Sequence, residues 1–560
     1  MRLAAAFRRH GVEVAFGQSI PSLFYLAAPA AGIRQAAYRA ENAGGAMADA
    51  YARITNKVGV VSGQNGPAAT LLVAPLAEAL KASIPIVALV QDVPRHQTDK
   101  NAFQDFDHMR LFDACAKWVR RIDRADRVDD YVDMAFAAAA SGRPGPAVLM
   151  FPADLLAEAA PPATARTTSF GHFPLDRTVA DPARVAEAAA LIAQARAPLV
   201  IAGGGVHASQ ACAELARLQE SWHLPVATTS MGKGAIDETH PLSLGVAGYF
   251  MGDGGRTRDM RAMIRRADVV LLLGTRTNQN GTDSWTLLPP EARYIHVDIA
   301  PEEVGRNYPS LRLVGDVKST LAALLAALDG HDRSARAGAR DAIAGEIAGA
   351  VANWRRVTAA IRTEDRSPIR PERVMHELDR LLTPQTIVVA DASYSSVWIT
   401  NCLTSRRAGQ RFLTPRGMAG LGWGLPYAIG ADLAAPSHPV VCVAGDGGFA
   451  HTWAEIETMK RLRLPITVIV LNNQILGYQK HAESVFFGGF TDACDFASVD
   501  HAAIARACGV RGVRIERAED IGPALAAAIA GNEPVVLDVV TDPDAYPPIT
   551  VFQGKLPSPY

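Results

Sequence analysis

Asp446 stands among glycines in Gly445-Asp446-Gly447-Gly448, directly after the apolar run Val440–Ala444. Twenty-seven residues further on, the apolar run Ile466–Leu471 leads into Asn472-Asn473. Glycines let backbone N–H groups approach a phosphate, and the start of a helix favours its charge. A carboxylate in such a turn repels phosphate unless a cation lies between them. If the two runs are neighbouring parallel strands of a βαβ unit, their tips share one edge of the sheet. Asp446 and Asn473 can then share a hard cation with phosphate oxygens, an all-oxygen octahedron that suits Mg2+. Read alone, Gly-Asp-Gly is an ordinary helix cap and Asn-Asn an ordinary loop. Their pairing at one βαβ spacing points to metal–diphosphate chemistry.

The elements that must hold these residues are legible along the whole chain. Short Val/Ile/Leu-rich runs alternate with Ala-rich, helix-compatible stretches. Besides the two runs above they are Val58–Val61, Ile86–Val90, Ala147–Phe151, Leu199–Ala202, Val269–Leu273, Ile387–Ala390 and Val535–Val540. Apolar runs without polar alternation suit strands buried on both faces, which makes the fold class α/β with doubly wound parallel sheets. With 560 residues the chain is too long for one core. Ala160–Val179 and Thr363–Pro371 read as linkers, and the expected domains are 1–165, 180–345 and 365–560.

The first and third of these echo each other. Val58–Gly66 followed by Ser83–Asp92 has the same order as Val440–Gly448 followed by Leu464–Asn473: strand, glycine turn, helix, X-Pro-Ile, strand, polar tip. Pro144–Asp154 and Glu533–Asp542 repeat the echo. Any two βαβ units share some of this, but two echoes in one order favour a duplicated domain.

Composition narrows the function classes. Lys+Arg 56 against Asp+Glu 57 leaves a net charge of -1, with no broad case for nucleic acid or an anionic membrane surface. The six cysteines include no CxxC pair, which argues against a disulfide framework or a zinc ribbon. No apolar run reaches the ~18 residues of a membrane span, and the expectation is a cytoplasmic protein.

The Gly445-Asp-Gly and Asn472-Asn473 pair resembles the diphosphate–metal motif of thiamine diphosphate (ThDP) enzymes, in particular the acetolactate synthase-like large catalytic subunits. Nearly the whole chain shares the resemblance, through Glu41–Arg53, Ala102–Gln104, Gly142–Pro146, Thr239–Gly245 and Gly424–Ala431. It implies three domains: pyrimidine-binding, central and diphosphate-binding. It also implies ThDP and Mg2+ as cofactors, with Asp446, Asn473 and the carbonyl of Ile475 as metal ligands and Gly445, Gly447 and Gly448 around the diphosphate. Ser393, Tyr394 and Ser395 match the segment that supplies a further diphosphate contact. Leu421 matches an apolar wedge that bends the coenzyme, and the carbonyl of Ala419 matches an acceptor for its amino group.

Glu41 matches the catalytic glutamate, whose carboxyl bonds the aminopyrimidine ring; burial helps it share a proton at neutral pH. Without the family, Glu41 reads as an acid at a helix start. Gln104, Lys117 and Arg276 match substrate-side positions, Arg276 facing a carboxylate. The plain readings are a loop glutamine, a surface lysine and a loop salt bridge. Because the family's coenzyme bridges two chains, a homodimer or dimer of dimers is implied.

Departures matter. The GxRFDDR motif of the acetolactate synthases ends here in Asn278-Gln279-Asn280, their acceptor-shaping tryptophan falls on Ala482, and their SGPG turn reads Asn65–Ala68. Met231–Gly234 and Val297–Glu303 also resemble 2-hydroxyacyl-CoA lyases and oxalyl-CoA decarboxylases. FAD or ADP in the middle domain stays open. The expected function is decarboxylation of a 2-oxo acid followed by addition to a second carbonyl, that is, a transferase or lyase. The alternatives are a lyase or decarboxylase of a CoA thioester, for which the tail Pro547–Tyr560 offers no basic lid, and a non-catalytic ThDP-binding paralogue.

Overall fold

A computed structural model describes residues 1–159 and 165–552. The beginning of the first linker and the last eight residues of the tail lie outside them. Three six-stranded sheets follow one another along the chain, and every strand pair in them is parallel.

The first sheet contains β1 (Val14–Phe16), β2 (Arg34–Ala36), β3 (Gly59–Gln64), β4 (Ile86–Asp92), β5 (Trp118–Arg121) and β6 (Ala147–Pro152), in the order β2-β1-β3-β4-β6-β5. The central sheet contains β7 (Pro198–Ala202), β8 (Val226–Thr228), β9 (Ser243–Val246), β10 (Val269–Leu273), β11 (Arg293–Asp298) and β12 (Ser310–Val314), in the order β12-β11-β10-β7-β8-β9. The third contains β13 (Ile387–Ala390), β14 (Phe412–Leu413), β15 (Val440–Gly445), β16 (Thr467–Asn472), β17 (Arg511–Ile515) and β18 (Val535–Val540), in the order β14-β13-β15-β16-β18-β17. Adding twelve to each strand number of the first sheet gives the third. The expected α/β class, and the kinship of the first and third units, are therefore the observed ones.

The strand interiors explain the apolar runs. Val440 to Ala444 and every residue of β16 are buried, because helices cover both faces of a parallel sheet. Each buried Val, Leu or Ile contributes ~1.5–3 kcal/mol. One continuous apolar cluster joins the first and third units, from Phe7 and Leu89 to Tyr427 and Val470. At its centre the helix Glu41–Thr55 packs on the helix Gly424–Ala434. A Cβ on Gly430 would lie 2.1 Å from the carbonyl oxygen of Met47, so only glycine permits this approach. Arg53 ties the same pair of helices: it pairs with Asp49 at 2.6 Å and donates to the Tyr427 hydroxyl at 3.1 Å. The central sheet has apolar clusters of its own on its two faces.

Residues 166–179 do not behave as a loose tether. The N–H of Val58 donates to the carbonyl of Gly171, and Lys57 and His172 form an isolated bridge, so this part lies along the first unit, while the carbonyl of Thr178 accepts from the N–H of Asp316 in the central unit. No described helix is long and apolar enough to cross a membrane.

Candidate active site

Parallel strands deliver their C-terminal ends to one edge of a sheet, and chemistry gathers there. In the third sheet β15 and β16 are direct neighbours, with Gly445 opposite Leu471. Asp446 is the first residue past β15 and Asn473 the first past β16. The Asp446 carboxylate is buried and accepts from the N–H of Gly447 at 2.9 Å and of Gln474 at 2.7 Å. Burial raises its pKa to about 6, against the lowering effect of these amides.

The Asn473 side-chain oxygen lies 3.0 Å from the carbonyl oxygen of Ile475 and 3.3 Å from Oδ1 of Asp446. Three acceptors that close repel one another unless a cation sits among them. The alternative amide rotamer would turn the nitrogen to donate to both oxygens. Ligands at ~2.0–2.1 Å from an octahedral Mg2+ stand roughly 3 Å apart, the spacing seen here. The set is all oxygen, and among the described residues no group of three or more His, Cys, Asp or Glu side chains could hold a metal. The donors present therefore fit a hard cation.

The glycines beside Asp446 differ in what they allow. A Cβ on Gly448 would lie 2.1 Å from Asp391 Oδ2, and one on Gly447 2.7 Å from the Phe496 ring. Among the described residues, Gly445 has nothing within 4 Å of that position. Only Gly445 leaves open space there; the other two glycines are demanded by packing.

Asp391 and Ser393–Ser395 follow β13 on the same edge. Ser395 Oγ donates to the carbonyl of Ala392 at 2.9 Å, inside its own turn. Tyr394 OH is 2.5 Å from Nδ1 of His481, and its ring borders Gly477 and hence the Asn473 loop. Ser393 is half-buried with φ +64°, a left-handed conformation that turns the chain into the helix Tyr394–Cys402. Asp391 has a task of its own. Its buried carboxylate accepts from the N–H of Gly422 at 3.0 Å and of Trp423 at 3.1 Å, and so fixes the turn bearing Leu421 and Ala419. Ala419 is exposed with φ +59°.

The first sheet presents a different set at the corresponding edge. Glu41 is the first residue of its helix and is half-buried. Gln104, also left-handed at φ +62°, accepts from Gln64 Nε2 at 2.8 Å, and its carbonyl accepts from Asn65 Nδ2 at 2.9 Å. The N–H of Gly66 donates to Nε2 of His108 at 2.8 Å. Gln64 ends β3 and His108 opens the helix His108–Asp113, and no motif marks either as part of a site. Lys117 is spent elsewhere. Its ammonium donates to the carbonyls of Ala138, Ser141 and Arg143 at 2.7, 3.0 and 2.7 Å, around the C-terminus of the helix Val128–Ala140. All three of its donors are thereby used.

Arg276 lies apart from both edges. It lines a cavity of about 1580 Å3, open mouth included, with Arg53, Arg143, Arg411 and Arg416 on its walls. Asp298, Glu303 and Asp316 also face this space, which includes none of Glu41, Gln104, Lys117, Asp446 or Asn473. Burial and the neighbouring Arg143 lower the pKa of Arg276, and burial raises that of Asp298 to about 6. So many guanidinium groups around one recess suit an anionic ligand.

Comparison with known proteins is consistent with this arrangement. Models of the N-terminal TPP binding domain, the central domain and the C-terminal TPP binding domain of thiamine pyrophosphate enzymes match residues 2–111, 185–324 and 391–539. A probable acetolactate synthase large subunit of Methanococcus aeolicus is 32% identical over 555 residues, covering 96% of this chain and 91% of its own. One of Methanocaldococcus jannaschii is 32% identical over 98% of this chain and 93% of its own. The acetolactate synthase isozyme 2 large subunit of Escherichia coli K12 is 28% identical over 96% and 94%.

Proposed function

Because this chain belongs to the thiamine pyrophosphate enzyme family, we propose that it is a ThDP- and Mg2+-dependent enzyme. Its reaction makes or breaks a carbon–carbon bond beside the carbonyl of a 2-oxo acid. The observation that carries this reading is the convergence of the Asp446 carboxylate, the Asn473 side-chain amide and the Ile475 carbonyl past the tips of β15 and β16, beside the open space over Gly445. The names of the relatives support an acetolactate synthase-like course, loss of CO2 and then addition to a second carbonyl.

Each residue has a part in that reading. Asp446, Asn473 and the Ile475 carbonyl would hold Mg2+, and Gly445, Gly447, Gly448 and Ser393–Ser395 would surround the diphosphate. Leu421 and the Ala419 carbonyl would orient the rings, and Glu41 would hold a proton at the aminopyrimidine nitrogen. When bound, the coenzyme supplies an electron sink for the carbon that loses CO2. Gln104 would meet the substrate from the first sheet. Lys117 would do so only after giving up its three carbonyls. Arg276 and its cavity would take an anionic group, whether the diphosphate of FAD or ADP or a substrate carboxylate.

Exposed Phe103, Phe106 and Met418 stand beside Gln104 and Ala419, and a second copy of the chain would cover them. We take the active form to be a homodimer or a dimer of dimers, acting in the cytoplasm. Domain limits near 165, 180, 345 and 365 complete the proposal.

The test is CO2 release from pyruvate with and without added ThDP and Mg2+, beside Glu41→Gln. Coenzyme-dependent release that the variant loses supports the reading; equal activity in the variant defeats the role of Glu41. A yellow absorbance of the purified protein would identify the central ligand as a flavin.

A further inference from the structure

Two carboxylates that belong to no motif cross between the first and third units. Glu78, 0% exposed, lies on the helix Val73–Ala82 between β3 and β4. It accepts from the backbone N–H of Gly417 at 2.6 Å, of Met418, and of Ala419 at 3.2 Å. Glu455, 1% exposed, opens the helix Glu455–Leu462 between β15 and β16. It accepts from the backbone N–H of Arg39 at 3.0 Å and of Ala40 at 3.1 Å, and from the Thr458 hydroxyl at 2.7 Å.

The two contacts are counterparts. Strand order makes the Glu78 helix the equivalent of the Glu455 helix, and the helix Glu41–Thr55 the equivalent of the helix Gly424–Ala434. Counted back from the left-handed residues that end their helices, Ser83 and Arg463, the acids lie five and eight residues away, one helical turn apart. Each acid grips the backbone just before the other unit's member of the central helix pair. One grip holds the residues leading into Glu41, and the other holds the turn that carries Ala419 and Leu421.

A buried carboxylate is costly unless it is hydrogen-bonded, so both acids and their N–H partners are fixed together. Gly417 confirms how closely Glu78 is held: a Cβ there would lie 2.4 Å from the Glu78 carbonyl oxygen. The three consecutive N–H groups satisfy the buried Glu78 carboxylate and at the same time hold residues 417–419 in one backbone conformation.

We propose that Glu78 and Glu455 are a reciprocal pair of positioning residues: Glu455 sets where Glu41 leaves the backbone, and Glu78 sets the Ala419 carbonyl and the Leu421 wedge. The inference rests on the proposed ThDP chemistry for its purpose, but not for its geometry. It also predicts an asymmetry. In Glu455 both amides bond Oε1, while Oε2 meets a hydroxyl that can reverse its role. A glutamine therefore satisfies that site. In Glu78 both oxygens meet backbone N–H groups, so a glutamine sets an amide nitrogen against a donor.

The experiment compares Glu78→Gln, Glu455→Gln and Glu455→Ala in the full-length protein, by hydrogen exchange and by turnover at saturating ThDP and Mg2+. Expected in Glu78→Gln is loss of amide protection at residues 417–421 with 38–41 unchanged. Glu455→Ala should give the reverse pattern, and Glu455→Gln neither. Turnover should fall about tenfold or more in the first and third variants and stay within about twofold in Glu455→Gln. Unchanged protection in Glu78→Gln and Glu455→Ala, or normal turnover despite lost protection, overturns the proposal. A wild-type protein with no coenzyme-dependent turnover would sink the functional reading instead, and the exchange pattern would still decide whether the clamps exist.

Discussion

The first and third sheets share one strand order and expose the same edge, yet they offer different chemistry. The third gathers polar groups: the Asn473 amide stands 3.0 Å from the Ile475 carbonyl oxygen and 3.3 Å from Asp446 Oδ1, beside open space over Gly445. The first offers a half-buried acid, Glu41, with no cation paired to it among the described residues, and an amide pair, Gln64 with Gln104, while Asp92 at the tip of β4 pairs with Arg121. A duplicated frame thus sets where strand tips fall, and the few residues past those tips decide what each edge can bind. A polar cage suits the charged end of a phosphorylated coenzyme. A single acid suits a ring that must gain and lose a proton.

The sharpest way to break the contrast is to exchange the kinds of failure. Glu41→Gln should lower turnover by ~10²–10⁴-fold while coenzyme affinity stays within a few fold, because only the proton is removed. Asp446→Ala should act on affinity, weakening Mg2+-dependent ThDP binding by about 100-fold, or ~2.8 kcal/mol. Titration calorimetry beside steady-state rates separates them. If both variants fail in the same parameter, the division of labour between the edges is wrong.

A finer contrast lies within Gly445–Gly448. Gly448→Ala forces a Cβ against Asp391 and should cost ~1–3 kcal/mol in denaturant unfolding. Gly445→Ala should leave stability within ~0.5 kcal/mol and still weaken ThDP binding. The smallest effect concerns Lys117. Lys117→Met should cost about 1 kcal/mol of stability through the freed helix carbonyls, with KM unchanged. A raised KM would instead place its ammonium on the substrate.

The sequence made the interior of each sheet legible and its margins obscure. All nine apolar runs singled out from the sequence became strands, and they lie toward the middle of the sheets, as β3, β4 and β6 do in the first. All six edge strands, β2, β5, β9, β12, β14 and β17, lack such a run, and so do β1, β8 and β11 beside them. Arg511–Ile515 and Ser310–Val314 alternate charged and apolar residues and are only partly buried, so they carry no continuous signal. The same limit applies at the site. Asp446 and Asn473 announce themselves because a carboxylate among glycines and a paired asparagine are unusual at strand ends. Glu78 lies in an Ala-rich helix and grips backbone from residues more than three hundred positions away, which no local pattern records. Lys117 matched a family position, but its direction depends on the helix Val128–Ala140, which only the folded chain reveals.

The central claim is that Glu41 and Asp446 serve one coenzyme from two different chains. Co-expressing Glu41→Gln with Asp446→Ala, assayed at a ThDP concentration too low to load the Asp446→Ala variant alone, tests it directly. Random pairing makes about half the dimers hybrid, and each hybrid holds one site with both residues intact, so about a quarter of wild-type activity should return. If the mixture stays as inactive as its parts, the site is not built across two chains and the account fails.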